Sequence, residues 1–301
     1  MMRSHDAPVS SSQNVQDSRA KPPPRAAWKR PAGAAPAWWV VCSRELADLW
    51  IGGKALILML LFCLLLGGVT YALIDDIKTP RSEMVYLALE TTVAVAVFLS
   101  VILGVDSISG ERERGTLEAL LATPASRRQI VFGKFLAAVS TWPAALALSI
   151  PCVALLSDGR DVFGQGLLWA TLLGTLMVTS FAGLGMIISL WSNSNKTSLF
   201  VGLGMFLLFL TPTLFPWETQ IGFVGRLLRR VNPMEANRHL LDKVIVSHWP
   251  LGAYWPWLAS PVLFAILIFA LLFWYGSPGL RLEGGKMPKF LLSLGRRLGL
   301  Q

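Results

Sequence analysis

The sequence predicts an all-α membrane protein, with an amphipathic N-terminal interfacial helix followed by six transmembrane helices. Two observations carry most of that reading. Of 301 residues, 53% are hydrophobic and only 15% are charged, too apolar for a soluble protein and too long for a simple anchor. The apolar residues also gather into six runs of membrane-spanning length, with the charges between them. A net charge of +9 would suggest nucleic acid in a soluble protein. Here many basic residues flank hydrophobic spans, so membrane topology explains them and no nucleic-acid partner is expected.

Residues 1–36 are rich in Ser, Pro, Ala, Lys and Arg, including KPPPR. They have too little apolar surface to offset ordering, and read as a disordered basic tail rather than a signal peptide. From Ala37 to Trp50, AWWVVCSRELADLW places Trp39, Cys42, Leu46 and Trp50 on one helical face, with Ser43, Arg44 and Asp48 elsewhere. Over 37–53 this predicts a helix lying in the membrane interface, the alternative being an amphipathic helix packed on a partner.

The six runs, within 54–275, cover about 55–74, 83–105, 130–156, 162–190, 198–215 and 257–275. At 1.5 Å per residue even the shortest reaches about 27 Å, close to the hydrocarbon thickness. Pro143, Pro151 and Pro212 are expected kink sites. With the N-terminus inside, 19 Lys/Arg fall on the cytoplasmic side and 8 outside. This bias predicts cytoplasmic termini, a basic cytoplasmic tail over 276–301, and a multi-pass protein of the inner or plasma membrane.

Asp106–Gln129 is a strongly charged interval between the second and third runs, and its charges must lie outside the hydrocarbon. Gly115 interrupts the charged turn, Thr116 is expected to cap LEALLA with Glu118 near the positive helix end, and Pro124 to stop that helix. Ser126 and Gln129 have capping-box spacing directly before the run from Ile130. Two short helical pieces should therefore lead into the third span, as a cytoplasmic transmission element. Lys134, one turn into that run, is expected to snorkel to the interface.

Other candidates lie in and between the spans. Glu90, within the second run, lines a substrate path if it faces the bundle, or sits among headgroups if the helix starts late. Thr171, Thr175 and Thr179 form a small polar stripe at i+4 spacing, with helix packing or a substrate path as readings. Between the fifth and sixth runs two short amphipathic helices are expected. The first, GFVGRLLRRV, presents Arg226, Arg229 and Arg230 to lipid or substrate. The second has Asn232 as cap, Pro233 at its first position and Glu235 at its third.

Cys42, Cys63 and Cys152 have no C-x-x-C spacing, and His5, His239 and His248 form no metal or triad pattern, so no metal site or cofactor is expected in this chain. No G-x-x-x-x-G-K-[ST] occurs: Gly285-Lys286 is followed by Met287, and Leu280 stands where the first Gly is required. If ATP and Mg²⁺ are used, another chain binds them.

GERERGTLEALLATPASRRQIVFGKFLA, from Gly110 to Ala137, closely resembles the segment between the second and third membrane helices of ABC type 2 (ABC-2) permeases, where GERExGTLExLLxxPxSRxxIxxGKxLA recurs. Glu111, Glu113, Gly115, Thr116, Glu118, Pro124, Ser126, Gly133 and Lys134 hold the motif's positions. The resemblance implies a permease half of an exporter, pairing with a second permease copy or paralogue and with two ATPase subunits that bind ATP and Mg²⁺. It implies that 37–53 is an elbow helix and that Asp106–Pro124 is the cytoplasmic coupling helix. There Glu111, Glu113 and Glu118 would supply polar contacts to the ATPase, and Leu117, Leu120 and Leu121 a packed face. The branches most similar in size and charged sequence serve multicopper-enzyme maturation, gliding machinery, or sodium and drug efflux. A non-transporting component of an envelope-remodelling complex, and less readily an intramembrane enzyme using Glu90, are the alternative readings.

Overall fold

The computed structural model describes residues 35–76, 78–157, 162–214, 230–247 and 255–280. The tail over 1–34, most of the first external helix with Arg226 and Arg229, and the basic tail from 281 lie outside the described residues. Among the described residues every regular element is a helix: α1 (Ala37–Trp50), α2 (Lys54–Asp75), α3 (Arg81–Glu113), α4 (Leu117–Leu121), α5 (Arg127–Val139), α6 (Thr141–Ser157), α7 (Val162–Trp191), α8 (Asn195–Leu214), α9 (Pro233–Ile245) and α10 (Trp255–Gly279).

Five stretches among these residues are long and apolar enough to cross a membrane: α2, α3, α5 with α6, α7, and Pro256–Gly276 of α10. The six expected runs thus give five such stretches. The remaining run forms α8, apolar from Leu199 to Leu210 but with Asn195 and Lys196 at one end and Thr211 and Pro212 at the other. The third run is divided at Ser140 rather than kinked at Pro143. Pro143 has no N–H to offer the Val139 carbonyl, and its ring crowds that carbonyl, so the helix breaks one turn before the proline. The helices continue past Pro151 and Pro212.

At the core, α3 runs against α7 with the backbones touching. A Cβ added at Gly104 would lie 2.5 Å from the Ala182 carbonyl oxygen, and one at Gly185 2.7 Å from that of Val101. Phe62, Val97, Trp142, Met177 and Phe181 fill the middle of the bundle. One end is closed by Ile108, Leu117, Leu120, Ile130 and Met186. The other is closed by Val85, Leu89, Leu156, Leu241 and Val244. α2 and α10 leave Ile57, Leu60, Leu64, Leu263 and Trp274 exposed, an apolar surface suited to lipid.

Sequence signals set the local ends. Asn232 caps α9, its Oδ1 accepting from the Met234 N–H at 2.9 Å and the Glu235 N–H at 3.3 Å. Ser126 and Gln129 form the expected capping box at the start of α5. α3 continues eight residues past its expected end, through Asp106–Glu113. It stops at Gly115 (φ +72°), where the Gly115 N–H bonds the Arg112 carbonyl at 3.2 Å and the Thr116 N–H that of Glu111 at 3.0 Å. This is a Schellman ending. Thr116 is therefore occupied in closing α3. Its backbone is αR and it makes no capping bond to α4, correcting the expectation that it caps LEALLA.

Candidate functional site

The charged end of α3 is a hub in which successive side chains engage different helices. Glu111 Oε1 lies 2.9 Å from Lys134 Nζ in α5, and the same Nζ lies 2.8 Å from Glu45 Oε1 in α1. Lys134 is only 1% exposed, so it does not snorkel. α1 lies over α5 and closes the lysine's route to water. Gly133 permits that contact, because a Cβ there would fall 2.7 Å from the Trp38 carbonyl oxygen and 3.0 Å from the Cys42 nitrogen. The buried face of α1 is accordingly Val41, Cys42 and Leu49, with Trp38 and Glu45 partly buried and Trp39 exposed. Of the face expected, Cys42 is buried and Leu46 and Trp50 are partly buried, and only Trp39 turns outward. Burial pushes the Cys42 thiol up, with the nearby Glu45 charge adding to it.

Arg112 reaches the end of α7. Its Nη1 donates to the Ser192 carbonyl and, at 3.4 Å, to that of Ser189, compensating the negative end of that helix. Glu113 does the converse for α8, its Oε2 accepting from the Asn195 N–H at 2.9 Å at the helix's positive end. Arg114 turns back to Asp106 at 3.7 Å, where Lys54 of α2 also arrives at 3.4 Å. Asn195 closes the network, donating from Nδ2 to Asp106 Oδ1 at 2.9 Å and accepting from the Ser109 hydroxyl at 3.0 Å.

Ser189, fully buried in α7, inserts into the backbone of α3. Its Oγ accepts from the Ser109 N–H at 2.7 Å and the Ile108 N–H at 3.2 Å, and donates to the Val105 carbonyl at 2.6 Å. A cavity of about 200 Å³ beside the hub is lined by Arg44, Asp48, Lys54 and Asp106 together with Glu111 and Lys134.

α4 hangs from this hub with Leu117 and Leu120 buried in the chain's own core and Leu121 half-buried. Glu113, Gly115, Thr116, Glu118 and Pro124 remain exposed. Glu111, expected as a polar contact to another chain, is 7% exposed and committed to Lys134, so in this conformation it is internal. Asp106 belongs to the charged interval expected here, whereas sequence reasoning missed Glu45, Ser189 and Asn195 as members. Of these, Glu45 alone carried a signal, sharing a helical face with Val41, Cys42 and Leu49.

At the opposite end, Glu90 Oε1 lies 3.4 Å from Arg238 Nε of α9, which also donates to the Tyr86 hydroxyl at 3.3 Å. Burial opposes the Arg238 charge, but the Tyr86 hydroxyl and Glu90 carboxylate outweigh it and hold the guanidinium above its ordinary range. The hydroxyls of Thr171, Thr175 and Thr179 donate to carbonyls one turn earlier, of Leu167, Thr171 and Thr175. Thr175 also accepts from Trp142 Nε1 at 2.9 Å, beside Gly174, so this part of the stripe packs against α6. Arg230 is exposed just before α9.

A bundle of long apolar helices with a buried charge hub at one end defines a multi-pass membrane protein. Residues 39–245 match the family model described as ABC-2 family transporter protein, and the chain belongs to that family. It is similar to the probable ABC transporter permease protein NosY of Stutzerimonas stutzeri, with 28% identity over 189 residues. The alignment covers 57% of this chain and 66% of that protein, just under two thirds of its length.

Proposed function

We propose that this permease is the membrane half of an ATP-driven exporter, and that α4 with the turns around it takes the stroke of a separate ATPase. The observation carrying the reading is the hub. A short helix with an exposed outer side follows directly on the end of α3, whose charges engage α1, α5, α7 and α8, so a force on α4 reaches most of the bundle. On this reading α8 also spans the membrane, as the fifth of six, α1 lies in the cytoplasmic interface, and both termini are cytoplasmic. Two permease chains and two ATPase chains then complete the transporter, with ATP and Mg²⁺ bound by the latter. Movement of α4 would shift the bundle between inward-facing and outward-facing states.

Glu118 is exposed on α4. In a background lacking the three native cysteines, Glu118→Cys should cross-link to a co-expressed ATPase and react with maleimide from the cytoplasmic side. Labelling from the external side only would refute the topology. If labelling is cytoplasmic but no cross-link forms at 118, 119, 122 or 123, the docking assignment falls.

A further inference from the structure

We propose that Glu90, Tyr86 and Arg238 form a latch holding α9 across the end of the bundle opposite the hub, and that this end opens by releasing it. α9 packs on α7 and α10 and makes polar contacts with two further helices, α8 and α3. Its N-cap residue Asn232 is buried and donates from Nδ2 to the Phe209 carbonyl of α8 at 2.7 Å. Six residues further along, Arg238 lies against α3, where Tyr86 and Glu90 are four residues apart on one face. α3 and α8 are also tied at the hub, by Glu113 and Asn195. The pair is therefore fastened at both ends, and separating α3 from α8 at the far end requires α9 to give up one of its anchors.

The two anchors differ in how readily they release. Asn232 is 7% exposed, and its Oδ1 simultaneously caps α9, so breaking it leaves buried polar groups unmet. The side chains of Arg238 and Glu90 are 40% and 27% exposed, and water can replace what they lose. Ala236, Leu240, Leu241, Val244 and Ile245 of α9 are buried and set which face of the helix turns inward, while a small slide or swing of α9 against α3 is resisted further by the polar contact. Calling this end external rests on the topology proposed above; the latch itself does not.

The test is hydrogen exchange on the full chain in lipid nanodiscs, read at the amides of 236–245. Arg238→Gln leaves the Glu90 carboxylate without its cation, whereas Glu90→Gln with Arg238→Gln removes both charges. Exchange in α9 should quicken about five-fold in the single variant and lie closer to wild type in the double. The swap Glu90→Arg with Arg238→Glu should restore protection to within about two-fold. If the single variant exchanges like wild type, or neither double variant improves on it, the latch is overturned. With a co-purified ATPase, Arg238→Gln should raise unstimulated ATP hydrolysis, and an unchanged rate would overturn its role in opening. The exchange measurement needs no ATPase, so a failure to find one refutes the transporter reading without touching the latch.

Discussion

Replacing Lys134 with Met tests the hub most directly, because one buried ammonium serves two carboxylates. The substitution keeps the unbranched apolar stem and removes the charge. Glu45 and Glu111 both contact Lys134 Nζ, so their oxygens are left within about 6 Å of one another, close enough for like charges to oppose ionisation. Breaking a buried pair by removing one partner costs about 3–5 kcal/mol. Glu45 is 19% exposed at its side chain, so water or a swing of α1 relieves part of this and the lower figure applies. About 3 kcal/mol corresponds to roughly a hundred-fold in the constant for α1 lifting from α5, at 1.36 kcal/mol per factor of ten. Hydrogen exchange at the amides of Val41–Leu49 should rise by that order, with Met177–Met186 of α7 as the internal reference. The triple variant Lys134→Met, Glu45→Gln, Glu111→Gln should recover most of the protection, since it leaves no uncompensated charge. Exchange in the single variant within three-fold of wild type, or a triple variant no better than the single, would refute the reasoning.

Three further outcomes follow from the same geometry. Gly133→Ala should force α1 away from α5 and lower stability by about 1–3 kcal/mol, seen as faster exchange confined to α1. Ser189→Ala should cost about 1–3 kcal/mol, because the Ile108 and Ser109 N–H groups lose a buried acceptor; thermal unfolding in detergent would register it, and an unchanged midpoint would show that the hydroxyl is not needed there. Glu118→Lys should change stability by no more than about 0.5 kcal/mol while weakening co-purification with the ATPase, the separation expected of an exposed contact. Loss of folding instead would mean that α4 is held by more than its buried leucines.

What the sequence revealed and what it withheld divide along the reach of each signal. Ser126 with Gln129, Asn232 with Pro233, and the break at Gly115 in the charged stretch are governed by residues a few positions away, and the structure bears them out, although the helix that ends at Gly115 begins far earlier than a charged turn would. Thr116 was misread because two local signals compete for it, and the Schellman ending of α3 takes precedence over capping α4. Lys134 was misread for a different reason. From the sequence it is a lysine one turn inside a span, and such residues ordinarily reach water. Only the folding of α1 over α5, permitted by Gly133 and completed by Glu45 89 positions earlier, makes it a buried partner. Ser189 and Asn195 join the hub through contacts 80 or more residues apart, which no window of hydropathy or spacing contains.

The length of the uncharged part of α3 explains why both of its ends carry such partners. Between Glu90 and Asp106 stand fifteen residues without a charge, about 22 Å of helix, against a hydrocarbon core of about 30 Å. The two Cα atoms are sixteen rises apart, about 24 Å, so a helix placed symmetrically and without tilt sets them about 3 Å inside the hydrocarbon borders, with the carboxylates reaching out to the water at each border; tilt carries them deeper, and shifting the helix frees one only by burying the other. An acid at such a border is stabilised by a cation or donors that let it keep its charge as the helix shifts. Each has them: Glu90 has Arg238 of α9, which also bonds Tyr86, and Asp106 has Lys54, Arg114 and Asn195. These contacts are made by α2, α8, α9 and the turn after α3, so moving any of them relative to α3 carries a cost at one border or the other. The shortness of α3's apolar stretch thus makes its terminal charges sensitive to the arrangement of the surrounding helices, a property that a longer span with charges in water would lack.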